Sequence, residues 1–390
     1  MGEGETHACC DLTQGGTHGI DRPTLSAPNP ESVAVVLRRL AETLAFAATG
    51  GLTLGLIGMP AGFLSGSILM VAAAALAGRP MLIPIPLMRV LMVMIGISLG
   101  SVVTPETLQG MASYPLSIAA LVLVTVLISL GGTAYLRVVH GWDTTTAYLA
   151  AVPGGLSQVL SIALEIDADV RAIAVVQSTR VVIVAVGLPA GLAALGLMGA
   201  APVTVAPALT PFPFGELAIL VAVSASAATL AFRLRFPGGL LFGAMMTSAA
   251  LHGSGLIHVT MPWWVTYTVM IAFGAVTGSR FANTPLRVLM HYIGAAVGSF
   301  AVAVAITAVV AAGLVSLLTL PIAEVMIAFA PGAVDAMMLL ALALHLNPVY
   351  VGAHHLVRIF FVLLSMPFIA RRAATPKPSK SPRPAPPFED

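Results

Sequence analysis

Charged residues are scarce in this chain, and their scarcity excludes an ordinary soluble protein. Only 9% of its 390 residues are Asp, Glu, Lys or Arg, whereas 58% are hydrophobic. A soluble domain carries about 25% charged residues, because its core needs a polar shell. Apolar runs long enough to cross a bilayer recur from about 40 to 370. The sequence therefore predicts a polytopic integral membrane protein, with the lipid bilayer as its first partner.

Cysteine, metal-ligand clusters and net charge are also lacking. The two cysteines, Cys9 and Cys10, are adjacent and provide neither a disulfide framework nor a zinc site by themselves. The nine histidines show no metal-ligand spacing with carboxylates, and no phosphate loop or Ser-His-Asp order occurs. We therefore expect no metal, no cofactor and no enzymatic activity. The net charge of +2 also argues against direct nucleic-acid binding as the main activity.

Twelve apolar segments fall into two sets of six with a similar cadence. The first set spans roughly 40–58, 61–78, 83–103, 114–137, 144–164 and 171–198. The second set spans roughly 214–234, 238–255, 261–280, 291–313, 321–344 and 349–370. The cadence predicts a membrane repeat at 40–198 and another at 214–370. The remainder is predicted to form a disordered polar tail at 1–39, an extracytoplasmic linker at 199–213 and a disordered, basic, Pro-rich tail at 371–390.

Matched residues support an internal duplication. The stretch MPAGFLSG at 59–66 aligns with FPGGLLFG at 236–243. Beyond that block, identical residues recur at one constant offset of 178 positions: Gly96, Gly100, Ser101, Tyr114, Pro153, Gly154, Arg180 and Pro189 match Gly274, Gly278, Ser279, Tyr292, Pro331, Gly332, Arg358 and Pro367. One constant offset over more than a hundred residues is not expected by chance, even in an apolar chain.

The distribution of arginine selects the topology. If all twelve segments cross, Arg171, Arg233 and Arg280 fall outside, against the positive-inside rule. If 144–164 and 321–344 are broken or re-entrant, each half crosses five times and these arginines lie inside with both termini. The predicted fold is therefore an all-α polytopic membrane protein. It is an inverted repeat of two five-helix units, each with one additional broken or re-entrant helical segment.

Pro-Gly pairs mark the two broken segments and the first candidate site. Proline removes a backbone donor and glycine weakens a helix, so each pair interrupts its segment at membrane depth. Paired interrupted segments in inverted halves are typical of a transporter binding site. The alternative is a kink used for tight helix packing. The candidate solute-binding residues at the breaks are Pro153, Gly154, Gly155, Ser157 and Gln158 in the first half, and Pro331, Gly332 and Asp335 in the second.

Two arginines lie inside the apolar segments that follow the breaks. Arg180 follows Gln177 by one turn, and Arg358 follows His354 and His355 at helical spacing. A charge at the bilayer centre costs several kcal/mol, so such residues face the bundle interior and have partners. Two interpretations stay open together: each arginine donates to carbonyls that the break frees, or it contacts a solute or ion.

The motif set resembles the AbrB family of bacterial inner-membrane proteins. The resemblance covers about 40 to 370 and rests on VPGGLSQV and APGAVDAMM, together with the Q-x-x-R and HHLVR segments. It implies a relation to cation/proton antiporters and anion transporters, a bacterial inner-membrane location, and site roles for the residues named above. Ser157 and Gln158 stand where family members often carry an acid, which counts against a mechanism that needs two carboxylates.

Three functions follow as hypotheses. The first is a transporter-like protein that binds or moves a small solute, with an anionic solute as one option, or an ion. The second is a membrane sensor that alters gene expression indirectly, since the family name is linked with regulation. The third, the ammonia monooxygenase label of some members, would require iron or copper ligands that the sequence does not offer. The identity of the solute is not readable, and a homodimer is left open as an assembly.

Overall fold

The computed structural model describes residues 30–103, 114–154, 156–166, 168–197, 213–282, 284–318 and 320–373. Within these ranges all regular secondary structure is helical, which confirms the predicted all-α class. Most of each predicted tail and nearly all of the linker lie outside the described residues.

The first repeat consists of seven helices. They are α1 (Pro30–Leu56), α2 (Gly62–Leu76), α3 (Ile85–Gly100), α4 (Tyr114–His140), α5 (Thr144–Ala151), α6 (Leu156–Glu165) and α7 (Val170–Ala194).

The second repeat has the same order of elements. Its helices are α8 (Phe214–Arg233), α9 (Gly239–Gly253), α10 (Trp263–Gly278), α11 (Leu286–Leu318), α12 (Ile322–Phe329), α13 (Val334–Ala343) and α14 (Pro348–Ala373). A 3₁₀ turn, Ser279–Phe281, follows α10. Each helix of the first repeat therefore has its counterpart seven helices later.

Both predicted breaks are confirmed. Helix α5 ends at Ala151 and α6 begins at Leu156, so Pro153 and Gly154 lie between two short helices of 8 and 10 residues. In the second repeat α12 ends at Phe329 and α13 begins at Val334, with Pro331 and Gly332 between them. Helices this short cannot cross a bilayer, which takes about 20 residues. Each pair therefore meets in the interior of the protein.

Some element boundaries differ from the sequence expectation. Helix α1 begins at Pro30, so residues 30–39 are helical although they were expected to belong to the tail. Proline at the first helical position is pre-organised for a helix, which explains the early start. The final helix likewise continues to Ala373, three residues into the predicted C-terminal tail.

Helices of the first repeat pack against helices of the second. Helix α2 packs against α10, and its counterpart α9 packs against α3. Close approach is possible because glycine lies at both contacts: a Cβ on Gly274 would overlap Ser67, and a Cβ on Gly96 would overlap the Leu241 carbonyl. Small residues allow helices to approach closely where hydrocarbon gives no hydrophobic driving force. The long helices α4 and α11 also pack on each other.

Five of the described helices are long and apolar enough to cross a membrane. They are α4, α7, α8, α11 and the Pro348–Ser365 part of α14. Helices α2 and α3 are apolar but shorter, with 15 and 16 residues. The protein is thus a membrane protein by the length and composition of its helices, as predicted. The opposite orientation of the two halves in the bilayer stays a prediction.

That orientation can be tested at the matched turns after α2 and α9. Gly78 and Gly255 both have positive φ, at 85° and 72°, and Arg79 and Leu256 follow them. In a background in which Cys9 and Cys10 are replaced by Ser, we expect Leu256→Cys to react with an impermeant maleimide in spheroplasts. Arg79→Cys should react only after the membrane is permeabilised. Equal labelling of both positions from one side would show that the halves run in the same sense.

Candidate functional site

Each buried arginine caps the first short helix of its own break. The Nη1 and Nη2 atoms of Arg180 donate to the carbonyls of Ala151 and Val152, at 3.0 and 3.2 Å. The corresponding atoms of Arg358 donate to Ala330 and Ala328, both at 2.7 Å. The last carbonyls of a helix lack intrahelical partners and carry partial negative charge. The guanidinium groups therefore satisfy the backbone that the breaks expose.

A second pair of side chains repeats this arrangement. The Nε2 atom of Gln177 donates to the carbonyl of Leu149 at 2.8 Å. His355, which lies 178 positions later, places Nε2 3.3 Å from the carbonyl of Ile327, also 178 positions after Leu149. The duplicated contacts show that the two breaks are built in the same way, with a Gln in one repeat and a His in the other.

The loop that precedes each capping helix is also duplicated. Asp169 caps α7 by accepting from the Ala172 N–H at 2.9 Å, and its own N–H donates to Thr146 Oγ1 at 3.2 Å. Asn347 caps α14 in the same way, and its N–H donates to Glu324 Oε1 at 3.3 Å. Asp169 is exposed, yet it has this structural role. The described loops thus determine where α7 and α14, the helices that carry Arg180 and Arg358, begin.

A cavity of about 390 Å³ lies between the two breaks. The first break contributes Gly154, and the second contributes the N-terminal turn of α13 with Asp335. Helix α7 contributes Gln177 and Arg180. The remaining lining comes from the start of α3, the start of α9, the end of α10 and the middle of α14. Four of the sequence-predicted site residues therefore meet in one space formed by both repeats.

Arg280 also lines this cavity, whereas the sequence placed it only on the cytoplasmic side, at the end of the segment 261–280, and did not indicate it as a site residue. It follows α10 in the 3₁₀ turn, and its charge interacts with the Asp335 carboxylate. Its Nη1 atom is buried without a hydrogen-bond partner among the described residues. The duplication in the sequence could have drawn attention to this residue. Val102 and Ser157 occupy the positions equivalent to Arg280 and Asp335, so the two charged residues occur only in the second repeat.

Other predicted site residues lie beside the cavity. Pro153 and His355 are buried next to the breaks, and Arg358 is oriented to the carbonyls of α12. His354 lies in a separate polar cluster, where its Nε2 is 2.8 Å from Ser117 Oγ. Pro331 borders a different, apolar cavity of about 470 Å³ between α7, α11 and α12. Gly155 and the side chains of Ser157 and Gln158 lie outside the described residues, and Gly332 forms the bend itself.

Comparison with protein-family models decides the relationship of the chain. Residues 63–374 match the family described as "Transition state regulatory protein AbrB". The chain belongs to the AbrB family. The matched range includes both breaks, both capping arginines and Arg280. The resemblance inferred from the motifs is thereby confirmed.

Two curated AbrB-family relatives are similar along most of their length. "Uncharacterized protein YhjN" of Bacillus subtilis (strain 168) is 25% identical over 353 residues, covering 83% of this chain and 90% of the relative. "Putative regulator AbrB" of Escherichia coli (strain K12) is 24% identical over 326 residues, covering 83% of this chain and 93% of the relative. The AbrB-family match thus extends over both repeats.

Arg358→Ala tests the capping contacts. The substitution removes two charge-assisted hydrogen bonds and leaves buried carbonyls unpaired, so we expect a loss of about 3 kcal/mol in the free energy of unfolding. Thermal unfolding in detergent should show a clearly lower midpoint, with partial recovery in Arg358→Lys. Arg171→Ala is the control, because Arg171 is exposed near the start of α7 and its loss should cost less than about 0.5 kcal/mol. Equal midpoints for Arg358→Ala and the wild type would contradict the capping role.

Proposed function

We propose that this AbrB-family protein binds a small, anionic solute in the cavity between its paired broken helices and carries it across the bacterial inner membrane. The observation that carries the proposal is the solute-sized cavity formed by both breaks and containing two arginines. Arg180 is buried and retains an Nε without a hydrogen-bond partner, and Arg280 retains an unpartnered Nη1. Charged groups at membrane depth that also have free donors are expected to serve a ligand.

The difference between the cavity lining and its duplicated counterpart supports transport rather than simple binding. The duplication relates the lining residues Leu241, Phe242 and Leu363 to Leu64, Ser65 and Ala185. Ala185 is fully buried where its counterpart Leu363 is only partly buried, and Ser65 Oγ donates to the Ala185 carbonyl at 3.1 Å. At this contact α2 is therefore closed against α7, whereas the corresponding residues of the second repeat border the cavity. Two related halves in different packings are what a protein with alternating access requires.

The predicted topology gives the open side a direction. The cavity reaches the segment before α3, the residue before α9 and the 3₁₀ turn after α10, at Ile83, Gly238 and Arg280. The positive-inside argument assigns all three positions to cytoplasmic ends of their helices. On this assignment the described conformation faces the cytoplasm, and the closed contact between Ser65 and Ala185 lies toward the other side.

A cross-link across the closed contact tests the transport mechanism. In a Cys9→Ser/Cys10→Ser background, we expect oxidised Ser65→Cys/Ala185→Cys to hold α2 against α7 and to reduce proteoliposome flux at least tenfold. Uptake would be measured for a panel of organic acids, amino acids and amines, and reduction with dithiothreitol should restore it. The single Ser65→Cys variant, which cannot form the cross-link, is the matched control. Wild-type uptake no greater than that of empty liposomes across the panel would refute transport.

An indirect role in gene regulation is a second candidate. The family description and the name of the Escherichia coli relative both refer to regulation. A transported solute can itself be the signal, so this candidate is compatible with transport. We expect a deletion strain to show a changed transcriptome that wild-type protein restores and Asp335→Asn does not. An unchanged transcriptome in the deletion strain under several growth conditions would exclude the regulatory role.

A further inference from the structure

The charges that line the cavity are unequal. Arg180 and Arg280 contribute two positive charges and Asp335 one negative charge, so the lining side chains sum to a single positive charge. Arg358 does not line the cavity and is therefore not counted among the lining charges. Each break presents the negative end of one short helix beside the positive end of the next, and these ends largely offset each other.

A cavity with one excess positive charge favours a solute with one negative charge. Uncompensated charge is costly in a medium that screens poorly, so the cavity is most stable with a solute that neutralises it. A solute with one anionic group does so, whereas a dianion reverses the imbalance and brings its second charge toward Asp335. Arg180 Nε and Arg280 Nη1 are buried donors without a hydrogen-bond partner among the described residues, and both belong to arginines that line this cavity.

The rest of the cavity wall is mainly apolar. Leu156, Val159, Leu241, Phe242, Val276 and Val362 all border the space. Such a wall gives little to a bare inorganic anion, which would lose its hydration shell without replacement. Contact with this wall stabilises the hydrocarbon part of a solute, by about 25 cal/mol for each Å² of apolar surface removed from water. A volume of about 390 Å³ lies toward the lower end of the range for ligand pockets, which fits a small molecule.

We propose that the cavity takes a small organic monoanion with an apolar body. Its carboxylate-type group lies between Arg180 and Arg280, and its hydrocarbon part lies on the wall formed by α9 and α14. Asp335 acts as the specificity residue: it interacts with Arg280 and repels a second negative charge on the solute. This inference rests on the proposed function, because it names the solute class of the same cavity.

The placement of Asp335 and Arg280 supports this assignment. Both are absent from the first repeat, where Ser157 and Val102 stand in their place. They therefore are not required for the break itself, which the first repeat builds without them. A pair of opposite charges that the duplicated architecture does not need is best explained by the ligand that the cavity binds.

Calorimetry on the full-length protein in detergent can test the solute class with matched probes. The monoanions are 4-methylpentanoate and phenylacetate, the dianions are 3-methylglutarate and phenylsuccinate, and the neutral analogues are the amides of the two monoanions. We expect the better monoanion to bind at least about tenfold more tightly than its dianion and its amide, because one charge is matched and the others are not. Absence of monoanion binding, or equal binding of the dianions, would overturn the proposal.

Two variants assign the roles within the cavity. Asp335→Asn raises the lining charge to two, so it should shift the monoanion-to-dianion affinity ratio at least tenfold toward the dianion. Arg280→Gln should weaken monoanion binding at least tenfold while the unliganded unfolding midpoint changes little. Glu42→Gln is the control, since Glu42 also faces an arginine, Arg79, at 3.2 Å but far from the cavity lining. An unchanged ratio in Asp335→Asn would remove Asp335 from the specificity role and refute this part of the proposal.

Binding and flux separate this proposal from the transport proposal. Monoanion binding with the expected selectivity but without flux in proteoliposomes would support the solute class and refute transport. Flux of an amine or another cation, without monoanion binding, would refute the solute class and leave transport standing.

Discussion

The structure depends on one interaction, the donation of two guanidinium N–H groups to the carbonyls at the end of a short helix. In a bilayer no water is available to satisfy these carbonyls, and each unpaired group costs several kcal/mol. Arg180 and Arg358 meet this cost for α5 and α12 respectively. Because of them, the chain can bend at Pro-Gly inside an apolar segment, and residues at both bends border the cavity.

The same interaction reconciles the two interpretations of the arginines. A guanidinium has five donors, and the capping contacts use only the Nη groups. The Nε groups of Arg180 and Arg358 are both buried without a hydrogen-bond partner among the described residues, and Arg180 lines the cavity whereas Arg358 does not. A structural role therefore does not exclude a role toward a solute. The fold holds each guanidinium in the interior of the protein and leaves one of its donors unused.

Sequence predicted the features that local chemistry determines. Pro153, Gly154 and Arg180 recur as Pro331, Gly332 and Arg358, and each has a consequence that hardly depends on its neighbours. The residues that line the cavity were harder to predict from the sequence, since the lining depends on how elements distant in sequence pack. Arg280 was placed only at the cytoplasmic end of its segment, although the turn after α10 brings it into the same cavity lining as Asp335. His354 shares a helical face with Arg358 by spacing, yet in the structure it is oriented toward Ser117.

The duplication also limits the energy difference between the open and closed packings. Both repeats fold into the same seven helices with the same capping contacts, yet residues of both border an open cavity while the contact between Ser65 and Ala185 is closed. A pattern of helices that supports both arrangements in one molecule is close to bistable, as packed interfaces often are. Among the charged residues that line the cavity, Asp335 and Arg280 have no charged counterpart in the first repeat. In the proposed function, a ligand that binds them therefore acts on groups that one repeat has and the other lacks.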